Sequence, residues 1–326
     1  MRYFHCCAQE QFPPDDLLRQ AVEAEEAGFD GIGTSDHLQP WWEPGESGHA
    51  WVWLGAAAQA TERLPVGPAV TVGLKRYHPA LIAQAYATLE LMYPGRVFVG
   101  LGSGESLNES PLGLDWPAPR DQLAALEEAC GLIRRLWNGE RVDHEGRFFR
   151  TKRASLHTRP ELPPPLYVSA FHPGAARVAG RYGDGLWTFG DPETAPELIE
   201  TYRAAADEAG RAPGTIVFEA GFSWAPNDEE ALEGARVWKG AAPDEFYVDD
   251  WFDPQAMYEE GERQVSDDDL KEQTIVSSDP DEHVERIKQI EALAHGDVIV
   301  KLSNQSGPTA LAIRIYAEQV LPKLRS

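Results

Sequence analysis

Three acidic residues and one histidine follow apolar runs in the first third of the chain, and their side chains could carry protons. Glu10 follows RYFHCC, Asp36 and His37 follow DGIGTS, and Glu105 follows RVFVGLGS. The imidazole of His37 could exchange a proton near neutral pH, and Asp36 could fix its tautomer or bind a ligand group. An aspartate that caps a helix beside an incidental histidine would give the same local pattern. The convergence of His37 with Glu10 and Glu105 at strand ends favours acid–base chemistry.

Two glycine-containing turns could bring backbone donors close to a ligand. GLGSGES covers residues 100–106, and SAFHPGAA covers 169–176 and leads into a helix. The first turn lacks the lysine of a phosphate-binding P-loop, so by itself it predicts only a tight strand-to-helix connection. The second places Pro173 and Gly174 at a helix N-terminus, where anions bind. His172 could bind a ligand there or serve only as a capping or surface residue.

An aromatic stretch follows His37 and contains four tryptophans: Trp41, Trp42, Trp51 and Trp53. Packing is the usual role of buried indoles, although such a cluster could also exclude water and hold a flat ligand. The sequence has no HExxH motif and no clustered Cys and His spacing, so we expect no metal site. A serine nucleophile is not expected either, because no GxSxG elbow is present.

The composition is that of an acidic protein with enough apolar residues for a large core. The chain has 326 residues, of which 42% are hydrophobic, and its formal net charge is −24. Such a surface disfavours nucleic acid and anionic membranes as partners. The sequence lacks a signal peptide, a long apolar span and a cysteine framework. We therefore expect a soluble cytoplasmic protein.

Short apolar runs alternate with amphipathic helical stretches, as in a (β/α)8 TIM barrel. The predicted strands cover residues 2–7, 30–35, 66–72, 96–103, 165–170, 184–190, 215–224 and 296–303. Most of them lack polar alternation, which favours strands covered on both faces of a parallel sheet. An open doubly wound sheet is the alternative, but no GxGxxG opens a helix near the N-terminus. We predict a single TIM-barrel domain over residues 1–326.

Two segments add to the barrel and are predicted to be insertions. Residues 138–164 predict a hairpin and an extended segment before the fifth strand. Residues 242–270 are acidic and aromatic, and we expect them to be irregular. No internal repeat and no linker divides the chain into two domains.

Several motifs follow one another along the chain: QEQF (9–12), SDHLQPW (35–41), KRYHPALIAQAYATL (75–89), RVFVGLGSGESLNE (96–109), GRYGDG (180–185) and SSDPDEHVERI (277–287). Together they closely resemble the glucose-6-phosphate dehydrogenase group of coenzyme F420-dependent oxidoreductases. That group belongs to the luciferase-like superfamily of TIM barrels. The resemblance covers nearly the whole chain and weakens between about residues 190 and 270. It implies an F420-dependent dehydrogenase or reductase that forms a homodimer.

The resemblance also implies a role for each residue that matches the family motifs. His37 would face the reactive carbon of the deazaflavin and the substrate carbinol, and Trp41 would help to stabilise the reacting state. Glu105 would protonate or deprotonate the deazaflavin ring, and Glu10 would be a second candidate base. A non-prolyl cis peptide bond would join Ala69 to Val70. The implied cofactor contacts are Asp36, Ala69, Val70, Val72, Ser103, Gly104, Asn108, Ala170, Phe171, His172, Gly174 and Ala175.

The residues that would hold a substrate phosphate depart from the family pattern. Phe189 and Pro192 stand where the sugar-phosphate enzymes carry a threonine and a lysine, and Gln273 stands where they carry an arginine. A phosphate dianion without cations is poorly held, so we expect a non-phosphorylated alcohol, or its carbonyl, as the substrate. Phe189 and Trp187 predict a more apolar pocket. A sugar-phosphate dehydrogenase is an alternative, since Arg263 could rebuild the site, and an FMN-dependent luciferase-like monooxygenase is another.

Overall fold

Parallel strands close into a barrel in the computed structural model, which describes residues 1–307 and 309–326. The strands are β1 (Arg2–Cys7), β2 (Gly31–Thr34), β3 (Val66–Pro68), β4 (Thr71–Val72), β5 (Val99–Gly102), β6 (Val142–Glu145), β7 (Arg150–Ala154), β8 (Leu166–Ser169), β9 (Gly185–Phe189), β10 (Thr215–Ser223), β11 (Thr274–Val276) and β12 (Val298–Asn304). The barrel follows the order β3-β2-β1-β12-β10-β9-β8-β5-β4, and β11 pairs with β10. β6 and β7 form a separate antiparallel hairpin.

The barrel closes because β3 and β4 are two halves of one strand position. They flank the cis peptide bond between Ala69 and Val70, β3 pairs with β2, and β4 pairs with β5. A further parallel bridge joins Val66 to Val97. The nine strands of the path therefore occupy eight positions, as in a TIM barrel. The predicted fold class is confirmed, and the eight predicted strands each lie at one of these positions.

Helices surround the barrel: α1 (Pro14–Glu26), α2 (Ala50–Ala60), α3 (Pro79–Met92), α4 (Ser106–Glu109), α5 (Pro119–Trp137), α6 (Pro173–Tyr182), α7 (Ala195–Glu208), α8 (Asp228–Arg236), α9 (Pro254–Gln264), α10 (Asp267–Gln273), α11 (Pro280–Glu291), α12 (Thr309–Ile315) and α13 (Leu321–Leu324). Several begin with proline, whose fixed φ and missing N–H suit the first helical position. In the part of the chain that the structure describes, no helix is long and apolar enough to cross a membrane.

The barrel interior is packed in layers, because alternate residues of each strand point inward. An apolar layer contains Phe4, Phe98, Tyr167, Val217 and Ile299. Gly67 permits the close approach of the Phe98 ring, since a Cβ there would lie 2.6 Å from Cδ2 of that ring. Two positions after Val217 on β10 comes Glu219, and two positions after Ile299 on β12 comes Lys301. The next layer toward the carboxyl ends is therefore polar.

The two insertions differ in how well the sequence predicted them. The hairpin of β6 and β7 lies within residues 138–164, as expected. The expectation that residues 242–270 are irregular is wrong, because they contain a 3₁₀ turn (Asp244–Tyr247), α9 and most of α10. The Asp253 side chain caps α9, and Ser266 and Asp269 form a capping box at the start of α10. These capping residues satisfy the first backbone N–H groups and favour helix over loop.

Candidate active site

His37 lies between two carboxylates at the carboxyl ends of the strands. Its Nδ1 is 3.2 Å from Oε1 of Glu10, and its Nε2 is 3.9 Å from Oε2 of Glu105. The side chain of Glu10 is buried, whereas 22% of the Glu105 side chain is exposed. Nδ1 of His37 therefore faces the buried carboxylate, and Nε2 faces the more open side of the site. The structure brings together the three acid–base candidates identified in the sequence.

A serine that sequence analysis did not single out fixes the carboxylate of Glu10. The Ser35 hydroxyl donates a hydrogen bond to Oε2 of Glu10 and accepts one of 2.9 Å from the backbone N–H of Gln9. Oε1 of Glu10 is thereby left toward His37. Nδ1 of His37 is buried and forms no hydrogen bond within the described residues, so the 3.2 Å approach to Glu10 is a close contact without hydrogen-bond geometry. Ser35 could have been identified from its position, because it opens the Ser-Asp-His run directly after a predicted strand.

Aromatic rings cover one side of His37. The ring of Trp41 meets the imidazole edge-on, with centroids 5.2 Å apart and an interplanar angle of 63°. Tyr247, from the 3₁₀ turn of the second insertion, packs on Trp41 at 5.2 Å and donates a 2.7 Å hydrogen bond to the carbonyl of Ala241. Burial, followed by the nearby Glu105 carboxylate, raises the pKa of Tyr247, so its phenol stays neutral. The insertion thus contributes to the wall of the site.

Asp36 faces away from His37 and anchors a polar network. Its carboxylate accepts hydrogen bonds from Thr71 Oγ1 and, at 3.1 Å, from Trp51 Nε1. The guanidinium of Arg76 lies 3.5 Å from the Asp36 carboxylate and donates to its backbone carbonyl at 2.6 Å. The expectation that Asp36 could fix the tautomer of His37 is therefore not met, because Glu10 and Glu105 flank the imidazole instead.

Glu109 is a buried carboxylate behind this network. It accepts a 2.9 Å hydrogen bond from the backbone N–H of Arg76, and its Oε1 lies 4.0 Å from the Arg76 guanidinium. Burial raises the pKa of Glu109 to about 7, although Arg76 partly offsets the effect. Sequence analysis did not single out either residue, because a charged pair formed across 33 residues has no local signature.

The glycine-rich turn after β5 positions Glu105. Asn108 Nδ2 donates to Glu105 Oε2 at 3.0 Å, and Asn108 Oδ1 accepts from the Leu38 N–H at 2.7 Å. Asn108 therefore ties the turn to the loop that carries His37. Gly104 has φ +87°, and a Cβ there would lie 2.7 Å from Cγ2 of Val72. Only glycine suits this conformation and this close approach.

The connection from β8 to α6 contributes a second aromatic pair. Phe171 is partly exposed and stacks on Phe189 of β9, with centroids 4.5 Å apart and an interplanar angle of 14°. The Phe171 ring also lies 6.4 Å from Tyr247. His172 precedes α6, and Arg177 is exposed on the first turns of that helix. Trp187, expected in the pocket wall, is buried deeper in the barrel beside Glu219.

Three cations in and around the site are paired with carboxylates. Arg76 lies between Asp36 and Glu109, and Lys301 contacts Glu219. Arg263, the candidate replacement for a phosphate ligand, pairs with Glu260 of its own helix and is exposed. Among the described residues, no group of three or more His, Cys, Asp or Glu side chains is arranged to hold a metal ion.

Comparisons with known proteins agree on one family. Residues 1–295 match the model of the luciferase-like monooxygenases. Two relatives named F420-dependent glucose-6-phosphate dehydrogenase, from Nakamurella multipartita and Beutenbergia cavernae, are 39% and 41% identical. The alignments cover all of this chain and 97% and 98% of the relatives.

Solved structures give the same picture of the fold. An F420-dependent secondary alcohol dehydrogenase in complex with an F420–acetone adduct is 33% identical, with a TM-score of 0.95, and the match covers 100% of this chain and 99% of the other. The coenzyme F420-dependent tetrahydromethanopterin reductase from Methanopyrus kandleri is 20% identical, with a TM-score of 0.78 over 99% of each chain. At that identity the second structure supports the fold alone.

Proposed function

This chain belongs to the luciferase-like monooxygenase family, and we propose that it is an F420-dependent oxidoreductase acting on a non-phosphorylated alcohol or its carbonyl. The resemblance inferred from the sequence motifs is confirmed by the family model and the relatives. The observation that carries the proposal is the position of His37 between Glu10 and Glu105. The substrate is the finer part of the proposal, since one set of relatives is named for a sugar phosphate and the structural relative for a secondary alcohol.

The residues at the barrel mouth fit the deazaflavin cofactor. Glu105 has a partly exposed carboxylate for a ring that exchanges a proton, and the positive φ of Gly104 forms the tight turn that carries it. The N-terminus of α6, with the exposed Arg177, suits the phosphate of the cofactor tail. The other proposed contacts are Asp36, Ala69, Val70, Val72, Ser103, Asn108, Ala170, Phe171, His172, Gly174 and Ala175. When bound, F420 supplies a two-electron hydride acceptor or donor.

The chain's own residues supply the proton chemistry. Nε2 of His37 faces the open side of the site, where it can accept the proton of the substrate hydroxyl during oxidation and return it during carbonyl reduction. Glu10, held by Ser35, lies beside Nδ1 and stabilises the imidazolium that forms. Glu105, oriented by Asn108, holds or releases the proton of the cofactor ring. The ring of Trp41 limits the orientation of the imidazole and keeps water from that side.

The surroundings of the site support a substrate without phosphate. Phe171 and Phe189 present stacked rings at the mouth, and Asp191 and Glu193 follow them in the chain. Charge-assisted hydrogen bonds contribute about 1.5–3 kcal/mol each, so the loss of two would cost about 3–6 kcal/mol. A sugar phosphate is the second candidate because the relatives that carry that name are about two-fifths identical over the whole chain.

The cofactor is tested by titrating the purified protein separately with F420 and with FMN and by measuring turnover with a panel of alcohols. We expect F420 to bind at least about tenfold more tightly, which corresponds to about 1.4 kcal/mol. Turnover is expected with F420 and secondary alcohols. Equal affinity, or a preference for FMN with oxygen-dependent turnover, would favour a monooxygenase and contradict the proposal.

We also propose that the protein is a cytoplasmic homodimer with a single domain over residues 1–326. Apolar side chains on α2 and α3 are exposed, and a second copy would cover them: Val52, Leu81, Leu91 and Met92. Size-exclusion chromatography with light scattering is expected to give twice the mass of the chain, which is 36.1 kDa. A single-chain mass at micromolar concentration would contradict the dimer.

A further inference from the structure

An ion pair lies in the barrel interior and belongs to none of the roles assigned above. Nζ of Lys301 contacts Oε1 of Glu219, and Trp187 Nε1 donates a 3.2 Å hydrogen bond to Oε2 of the same carboxylate. Lys301 and Trp187 are buried, yet 25% of the Glu219 side chain is exposed. Its neighbours on β10, Phe218 and Ala220, are buried. Glu219 therefore borders open space inside the barrel.

Glu219 lies on the same side of the barrel interior as the candidate active site. In the strand register, Glu219 pairs with Phe189 on one side and with Lys301 on the other, and Phe189 lies at the mouth. The phenol of Tyr247 is close enough for the charges of Glu105, Glu219 and Glu10 all to act on it. Glu219 therefore lies near the two carboxylates beside His37, and it extends from β10, three positions from β2 around the barrel.

The carboxylate of Glu219 retains unused acceptor capacity. A carboxylate can accept about four hydrogen bonds, and Lys301 and Trp187 occupy one oxygen each. Lys301 supplies a buried cation beside the carboxylate. The remaining lone pairs can accept hydrogen bonds from hydroxyl donors.

A buried hydroxyl beside the pair is also unsatisfied. Ser303 follows Lys301 by two residues on β12, so its side chain points to the same interior face, one layer nearer the mouth. Its Oγ is buried and, within residues 1–307 and 309–326, has no hydrogen-bond partner that meets the geometric limits, although the Cys6 thiol of β1 lies beside it. Buried polar groups are usually paired, and an unpaired one indicates a missing ligand or water. On the neighbouring strand Ser303 pairs with Gly221, where the side chains of Gln305 and Thr274 lie within 2.9 Å of the position that a Cβ would take.

We infer that Glu219 and Ser303 form a second hydroxyl-binding subsite, and that the substrate is a diol or polyol whose carbinol reaches His37 while another hydroxyl binds Glu219. The inference rests on the proposed function and specifies its substrate class. The Glu219 carboxylate accepts the hydrogen bond of the second hydroxyl, and Ser303 donates to its oxygen. Lys301 and Trp187 are positioning residues that hold the carboxylate toward the open space inside the barrel.

The test compares 2-butanol with 1,3-butanediol and 2,3-butanediol in the F420 assay. We expect kcat/KM for the better diol to exceed that for 2-butanol by at least about tenfold. The double variant Glu219→Leu/Lys301→Met removes both charges and leaves no unpaired ion. It should reduce the ratio of diol to 2-butanol kcat/KM by at least about tenfold, and Ser303→Ala should reduce it by a smaller factor. The control pair Asp281→Asn/Lys323→Met, an exposed ion pair on α11 and α13, should leave the ratio unchanged.

A second readout separates this inference from the proposed function. Trp187 donates to Glu219, so binding of the diol should change tryptophan fluorescence in the wild type and not in the double variant. Diol binding that is lost in the variant, without turnover of any alcohol, would support the subsite and contradict the proposed function. Equal kcat/KM for diols and 2-butanol, or a ratio that Ser303→Ala and the folded double variant both leave unchanged, would overturn the subsite.

Discussion

Nδ1 of His37 lies 3.2 Å from Oε1 of Glu10, and the two residues lie at equivalent positions beyond the ends of neighbouring strands. Cys7 of β1 pairs with Thr34 of β2, and Glu10 and His37 each follow three residues later. The parallel register therefore brings the carboxylate and the imidazole together at the mouth of the barrel. Glu105, from the turn after β5, completes the arrangement on the other side of the ring.

Replacing His37 tests its role in proton exchange with the substrate. His37→Ala should reduce turnover by about 10²–10⁴-fold, the range for a lost acid–base group, while F420 binding is largely retained. Steady-state kinetics and a fluorescence titration of F420 measure the two effects. His157→Ala, an exposed histidine of the first insertion, is the matched control. Turnover near the wild-type value in His37→Ala would remove the imidazole from the mechanism.

The role of Glu105 predicts a change in the pH dependence of catalysis. Glu105→Gln keeps an oxygen for the Asn108 amide but cannot hold or release a proton. We expect the pH profile of kcat to lose the limb that reports protonation of the cofactor ring, and kcat itself to fall. Glu145→Gln on the exposed hairpin is the control. A profile identical to that of the wild type would assign the ring proton to another group.

Glu109 predicts a pH-dependent loss of stability. Its pKa in the folded protein is about 7, above the ordinary value of 4.5, so the folded state binds the proton more tightly than the unfolded chain does. Stability should therefore fall as the pH rises from about 4.5 to 7 and remain lower above that range. The free energy of unfolding of Glu109→Gln, relative to that of the wild type, should rise by about 2 kcal/mol between pH 5 and pH 8. The whole shift of the pKa corresponds to about 3 kcal/mol. Urea unfolding of both proteins at pH 5 and pH 8 measures this difference. The same difference between variant and wild type at both pH values would contradict the raised pKa.

The expectation that the chain lacks side chains for a substrate phosphate can be tested by introducing such side chains. Phe189→Thr/Pro192→Lys/Gln273→Arg introduces the residue types that the sugar-phosphate enzymes carry at the matched positions. We expect kcat/KM for glucose-6-phosphate to rise by about 10–100-fold, since each charge-assisted bond contributes about 1.5–3 kcal/mol. The same triple variant with glutamate at position 192 is the control for charge. If kcat/KM for glucose-6-phosphate rises in both variants, the gain comes from the shape of the site and not from its charge.

Much of the barrel and part of the site could be predicted from particular residues. Runs such as RVFVGLGS are apolar, short and bounded by turns, so they indicated buried parallel strands. Because the carboxyl ends of such strands meet at one end of a barrel, Glu10, His37 and Glu105 could be grouped from the sequence alone. The cis peptide at Ala69–Val70 was expected from the family motif and is present.

The remaining features depend on contacts between distant parts of the chain. Lys301 lies in the apolar run VIVKLS and Glu219 in TIVFEAGFS, and only the register of β10 and β12 reveals that they pair. Tyr247 reaches the site because residues 242–270 fold into helical turns that no local periodicity indicated. Trp187 was expected at the pocket wall, but the inward alternation of β9 places it one layer below Phe189.

The central claim is that this chain combines the F420 chemistry of its family with a substrate that carries no phosphate. The most direct measurement is a side-by-side determination of kcat/KM for glucose-6-phosphate and for small secondary alcohols, with F420 as the cofactor. We predict turnover of an alcohol, with glucose-6-phosphate at least about 10²-fold less efficient because the phosphate would lack two charge-assisted bonds. Efficient oxidation of glucose-6-phosphate, with a micromolar Michaelis constant, would contradict this account.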